Sequence, residues 1–272
     1  MFSPNSYEYF LQQKLNRYNF IRNLLSNWSK EEIKNKSFLS IGCGLAGEES
    51  WIVDQFKEVL LIDKDESTLN LAKEYYEKDN IKGNHKFQKY SIGDKDKLLD
   101  KKFDIIFTSS PSDWMNKQQW ELPTSWIEFI VDNLTEDGMF IFRAYGGSNS
   151  SNIKKSEYKK ILTDHLTKNA NNLKVQGIWN ISKNEYDMQN KLDGLPEEVG
   201  KGRGTQVFGI ITKSILINDE SVSYFNYDKD NIYQLQFLKT WNKEEYIDIC
   251  QKQIKILKKS KLKKKLLTKE FI

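Results

Sequence analysis

The stretch Phe38-Leu-Ser-Ile-Gly-Cys-Gly-Leu-Ala-Gly-Glu-Glu49 reads as a short buried strand, a glycine turn and a helix that starts at once. Nineteen residues after Gly44 stands Asp63, closing a second apolar run, Val59-Leu-Leu-Ile62. Gly42 and Gly44 let the backbone approach a ligand closely, where a Cβ would clash. An acid at the end of the second strand can accept hydrogen bonds from both hydroxyls of a ribose. A glycine turn with such an acid about 20 residues on marks a cofactor ribose held at a Rossmann-type switch point.

Working outward, the chain alternates regularly. Residues 5–28 carry Leu11, Leu15, Tyr18, Ile21, Leu25 and Trp28 at three- and four-residue spacing, which predicts an amphipathic helix. Ser29-Lys-Glu-Glu32 has the form of a capping box for a second, short helix. Beyond the glycine turn the predicted elements are a helix over 47–56, a strand over 58–62, a helix over 67–78 and strands over 85–91 and 103–108. A helix over 124–134 and a strand over 139–143 follow. Short apolar strands separated by helical patterns imply βαβ crossovers and a parallel sheet. A helix over 154–168 then precedes two strands, 173–181 and 205–215, joined by the polar segment 184–204 without a helix, which suggests an antiparallel edge pair. The expected division is an N-terminal helical cap over 1–36, a nucleoside-binding core over 37–216 and a C-terminal extension with a basic helix over 217–272.

Composition narrows the function classes. The 272 residues suit one large domain with appendages. No apolar stretch approaches the ~20 residues of a membrane span, and the first eight residues lack the pattern of a secretory signal. Cys43 and Cys250 are the only cysteines, so a disulfide framework is not expected and a cytoplasmic setting is the default. With His85 and His165 the only histidines, no metal site is expected. The formal net charge is +4, yet 251–269 holds nine lysines and no acid, so the rest of the chain sums to −5.

The spacing of Gly42, Gly44 and Gly47 also admits a dinucleotide. Against that, Glu48 and Glu49 stand where a helix N-terminus would face a pyrophosphate. The terminal strand pair likewise replaces a second mononucleotide-binding half. A cofactor with a cationic centre and no phosphate fits better.

On these residues the chain resembles the class I S-adenosylmethionine-dependent methyltransferase family over about residues 36–215. Phe38-Leu-Ser-Ile-Gly-Cys-Gly44 is similar to that family's first motif, which wraps the methionine part of the cofactor, and Leu61-Ile-Asp-Lys-Asp-Glu66 to the second. Phe103-Asp-Ile-Ile-Phe-Thr-Ser109 resembles the fourth-strand motif, and Leu134-Thr-Glu-Asp-Gly-Met-Phe-Ile-Phe142 the entry to the fifth strand. The resemblance implies a doubly wound α/β fold, its mostly parallel seven-stranded sheet ending in an antiparallel last strand. It implies S-adenosyl-L-methionine held by Ser40, Gly42, Cys43, Gly44, Asp63, Lys64 and Ser109, with Ser91 or Asp94 on the adenine side. Ser40 stands where the family often carries an acid that contacts the cofactor's amino group.

Substrate-side candidates lie at the carboxyl edge of the same strands. Ser109-Ser-Pro-Ser-Asp-Trp114 follows the fourth strand and resembles the (Asp/Asn/Ser)-Pro-Pro-aromatic position of nucleic-acid amino-methyltransferases, but lacks the second proline and the adjacent aromatic. Asp113 can act as a general base or orient an amine, or cap a helix; Tyr145 is the next base candidate. Ser110, Trp114 and Arg143 are substrate-side candidates, Arg143 with a structural ion pair as its competing role. Tyr9, on the leading helix, can belong to a lid or to core packing. The expected activity is methyl transfer to a small molecule by in-line attack on the sulfonium methyl. The alternatives are a nucleic-acid methyltransferase using the lysine-rich tail, and aminocarboxypropyl transfer or cyclisation of the same cofactor.

Overall fold

The computed structural model describes residues 3–14, 30–93, 99–109, 122–145, 155–170, 172–181, 206–213, 248 and 250–260. Seven strands form one sheet: β1 (Ser37–Ile41), β2 (Glu58–Asp63), β3 (His85–Lys89), β4 (Phe103–Ser109), β5 (Leu134–Tyr145), β6 (Lys174–Ile181) and β7 (Gln206–Thr212). Their spatial order is β3-β2-β1-β4-β5-β7-β6. The five strands β1 to β5 pair in parallel, while β7 runs antiparallel to both β5 and β6. The direction of chain order reverses between β1 and β4, which places a switch point at their carboxyl ends.

Each strand sends alternate residues to opposite faces. One face gathers Phe38, Val59, Leu61, Ile105, Phe107, Met139, Ile141 and Ile210 beneath the helix Glu66–Lys78 and residues of the two terminal helices. The other gathers Leu39, Ile41, Leu60, Ile62, Ile106, Phe140, Phe142 and Ile211 beneath the helices Thr124–Asn133 and Lys155–Asn169. Strands buried on both sides read as unbroken apolar runs, which is why β1, β2 and β4 were legible. The edge strand β3, His-Lys-Phe-Gln-Lys, is only partly covered, and its lysines discourage pairing with another chain.

Both ends of the chain join the first of these cores. Residues 7–14 are helical and bury Phe10 and Leu11, while residues 250–260 bury Cys250 and Ile254 in the same cluster. Lys14 lies beneath the surface against the Asp79 carboxylate, which also accepts a 2.8 Å hydrogen bond from the Tyr7 hydroxyl. The hydroxyl of Ser260 donates to Glu8 Oε1 at 2.8 Å, tying the two terminal helices together. The remainder of the leading helix expected over 5–28 lies outside the described residues. No helix among the described residues is long and apolar enough to cross a membrane.

One sequence expectation needs correction. The helix expected over 47–56 is a run of turns around one short 3₁₀ segment, Glu49–Trp51. The local pattern suited a helix, but Glu48 and Glu49 turn inward to Arg143 on β5 and Ser40 on β1, and a regular helix would carry at least one of them outward. The antiparallel pair stands at one edge of the sheet as expected, with β7 between β5 and β6. Gly209 of β7 sits opposite Phe142 of β5, and a Cβ there would lie 2.0 Å from the Phe142 ring. Phe142 is fully buried and has no room to retreat. Gly209→Val should therefore lower the unfolding free energy by about 1–3 kcal/mol, read from the denaturation midpoint; an unchanged midpoint would show that the ring can move.

Candidate functional site

The glycine turn is built from left-handed backbone. Gly42 and Gly44 have φ of 64° and 55°, and Ala46 joins them at 52°. A Cβ at Gly42 or Gly44 would meet nothing within 4 Å, so conformation demands glycine there and open space lies beside both residues. Ala46 carries a conformational penalty of roughly 1 kcal/mol. It is offset by a 2.8 Å bond from its own N–H to the Cys43 carbonyl and a 2.9 Å bond from the buried Tyr76 hydroxyl to its carbonyl. At Gly47 the leading helix comes in: a Cβ there would stand 2.7 Å from the Phe10 carbonyl oxygen. In this chain Gly47 thus makes room for the N-terminal helix.

β2 holds the turn from the other side. The Cys43 N–H donates to the Ile62 carbonyl at 3.1 Å. The Gly44 N–H donates to Asp63 Oδ2 at 2.9 Å, and the Asp65 N–H to Asp63 Oδ1 at 3.0 Å. A carboxylate offers about four lone-pair sites, so these two bonds orient Asp63 and leave acceptor capacity for a ligand. Asp65 caps the next helix, accepting from the N–H and hydroxyl of Ser67 and the hydroxyl of Thr68, which pulls its carboxyl down to a pKa of about 2. Asp63 therefore sits on a short, pinned link between a strand end and a helix start.

Period-two alternation puts Ser40, Asp63, Ser109 and Arg143 on one sheet face, each at or near the carboxyl end of its strand. The Arg143 side chain is 1% exposed and grips Glu48, 2% exposed, with both terminal nitrogens: Nη1 to Oε1 and Nη2 to Oε2, each at 3.1 Å. Arg143 Nη2 also donates to the Ser109 hydroxyl. The Ser40 hydroxyl, equally buried, donates to Glu49 Oε1 at 2.6 Å. This revises the reading of the two glutamates as open negative charge facing a phosphate. Glu48 is ion-paired with Arg143 and hydrogen-bonded to it through Oε1, and both carboxylates are turned into the protein. Burial, with Glu49 next in importance, pushes the Cys43 thiol and the Tyr76 hydroxyl well up, so both remain protonated at neutral pH.

The sequence candidates fall into three groups. Ser40, Gly42, Cys43, Gly44, Asp63, Ser109 and Arg143 gather around the turn and the adjoining strand ends, as just described. Lys64 and Ser91 are exposed, immediately after β2 and close after β3, where Tyr90 N–H donates to the Asp63 carbonyl at 2.9 Å. Tyr9 is half-buried against the first core, beside the fully buried Phe10. Tyr145 ends β5 opposite Gln206 of β7, with its side chain outside the described atoms. Asp94, Ser110, Asp113 and Trp114 lie outside the described residues. Sequence reasoning gave no structural role to Glu48, Glu49 and Tyr76, whose partners are 95, 9 and 30 residues away. The scarcity of arginine, four among 42 basic residues, was the available signal for the Glu48–Arg143 pair.

An open groove of about 600 Å³, lined by Lys73, Tyr76, Glu77, Lys82, His85 and Lys86, lies at the amino end of β3. Its position is the wrong end of the sheet for the chemistry. Ligands of open α/β sheets bind at the carboxyl ends, where Gly44 and Asp63 stand.

A mostly parallel sheet with this switch point, a left-handed glycine turn after β1 and an acid closing β2 define a nucleoside-cofactor enzyme of the doubly wound class. The family described as "Methyltransferase domain" matches residues 32–235, and the chain belongs to it. Comparison with curated proteins gives no match. Among solved structures the chain is similar to an S-adenosylmethionine-dependent methyltransferase from Aquifex aeolicus, at 14% identity and TM-score 0.47, covering 77% of this chain and 99% of that one. It is similar also to one from Clostridium acetobutylicum, at 12% identity and TM-score 0.45, covering 73% and 92%. Coclaurine N-methyltransferase, bound to N-methylheliamine and S-adenosylhomocysteine, resembles it at 12% identity and TM-score 0.45, covering 75% and 78%.

S-adenosylmethionine is the family's cofactor, and the residues present fit it: open space borders Gly42 and Gly44, and an oriented carboxylate at Asp63 retains acceptor capacity. Asp63→Ala should weaken S-adenosylhomocysteine binding by about ten- to a hundredfold, the worth of hydrogen bonds to a charged acceptor, as measured by calorimetry. Affinity equal to the wild type would remove Asp63 from the site.

Proposed function

We propose that this S-adenosylmethionine-dependent methyltransferase acts on a small molecule, in the cytoplasm. The observation that carries the reading is the charge distribution: outside 251–269 the chain is net −5, a body that repels a polyphosphate. Cys43 and Cys250 are buried and form no disulfide with one another, which agrees with a reducing compartment.

Bound at the turn, the cofactor supplies an electrophilic methyl on a sulfonium centre. The chain's own work is then to hold the ribose on Asp63, seat the remainder along Gly42–Gly44, exclude water and align a nucleophile. Asp113, four residues beyond β4, is the proposed base for a nucleophile that arrives protonated, with Tyr145 at the end of β5 as the second. Ser110, Trp114 and Tyr9 are the proposed substrate contacts.

A second reading has its own observation. The C-terminal helix, anchored by Cys250, Gln253 and Ile254, exposes Lys252, Lys255, Lys258 and Lys259, which suits a nucleic-acid backbone. Transfer of labelled methyl from S-adenosylmethionine into a cell extract separates the two. Label in the low-molecular-weight fraction supports the first reading, and label in RNA or DNA, lost on deleting 251–272, overturns it. Asp113→Asn should lower turnover by about a hundredfold while leaving S-adenosylhomocysteine affinity unchanged. Undiminished turnover would dismiss Asp113 as the base.

A further inference from the structure

The segment between β1 and β2 has unusually little regular structure to hold it. From Gly42 to Lys57 the only helical element is the three-residue 3₁₀ segment, and the local backbone hydrogen bonds are those of successive turns, such as Ala46 N–H to the Cys43 carbonyl and Ser50 N–H to the Ala46 carbonyl, rather than of a regular helix. Ties to other elements supply what is missing. Asp63 holds Gly44 from β2, Tyr76 holds Ala46 from the helix Glu66–Lys78, and Ser40 holds Glu49 from β1. Each of these three anchors lies on β1 or on the β2 side of the switch point.

Arg143 is the tie from the opposite side. Its backbone belongs to β5, in register with Ser109 of β4, and its guanidinium bonds both the Ser109 hydroxyl and the Glu48 carboxylate. One buried side chain thus links the turn to the two strands whose carboxyl ends face it across the switch point. Stability is a poor explanation for such a pair, because two apolar side chains of like volume serve a core as well or better. A planar guanidinium that hydrogen-bonds Glu48 through one nitrogen and Ser109 through the other instead fixes direction as well as distance. Arginine also stands here in a chain that otherwise uses lysine almost throughout.

We propose that the Arg143–Glu48 pair is a positioning device that sets the cofactor-binding turn relative to the ends of β4 and β5, where the transferred group must meet its acceptor. The inference rests on the turn being the cofactor site, so binding of S-adenosylhomocysteine by the wild-type protein is the control, and its failure would strike that reading instead.

The test uses the full chain with two variants: Glu48→Leu combined with Arg143→Met, which removes both charges at similar volume, and Arg143→Lys, which keeps the charge and loses the fork. Melting temperature, S-adenosylhomocysteine affinity and amide hydrogen exchange are measured on each. The double variant should melt close to the wild type, bind about tenfold more weakly or worse, and exchange faster over 42–49 with β1 and β4 unchanged. Arg143→Lys should show the same local loosening with a smaller loss of affinity. Wild-type affinity and exchange in a folded variant would overturn the proposal. So would failure of both variants to fold, because the pair would then be a support of the fold as a whole.

Discussion

The hydrogen bond from the Gly44 amide to Asp63 Oδ2, 2.9 Å long, is the contact on which the arrangement turns. Two adjacent parallel strands must end together, and the chain leaving the first must not cover the end of the second. Left-handed backbone at Gly42 and Gly44 takes the chain sharply aside, and the amide that this exposes is captured by the acid closing β2. The same acid is then held by the start of the following helix through the Asp65 amide. The result is a carboxylate with a set direction beside open space, which a ribose requires and an unbound surface aspartate does not provide.

Around that contact, charge is handled by pairing. Glu48 and Glu49 are almost completely buried, and an uncompensated carboxylate in such a place would be protonated or would disrupt the fold. Arg143 and Ser40 are the answers to the two glutamates. Removing one member of a buried pair costs about 3–5 kcal/mol, comparable to much of a domain's net stability. Buried Cys43 and Tyr76, held in their neutral forms, add no further charge beneath the turn. The polar part of the site is therefore confined to groups whose orientation is already determined before a ligand arrives.

Much of this was legible in the sequence because it depends on local pattern. Four apolar runs bounded by glycine or acidic residues identified β1, β2, β4 and β5, and one interval located Asp63 relative to Gly44. The seven-stranded sheet and the antiparallel β7 followed from the resemblance and from two strands joined without a helix. What escaped depended on distant partners. The helix after the turn is replaced by a 3₁₀ segment because residue 48 answers to residue 143, and no local periodicity records that.

The central claim is that the turn and Asp63 together form the cofactor site. An amide-resolved NMR titration of the labelled protein with S-adenosylhomocysteine tests it most directly. The account predicts saturable shifts centred on Gly42, Gly44 and the Asp63–Asp65 link, extending to Ser91 and Ser109. Shifts centred instead on Lys73, Lys82 and Lys86 at the amino end of β3, or no saturable shift at all, would contradict it.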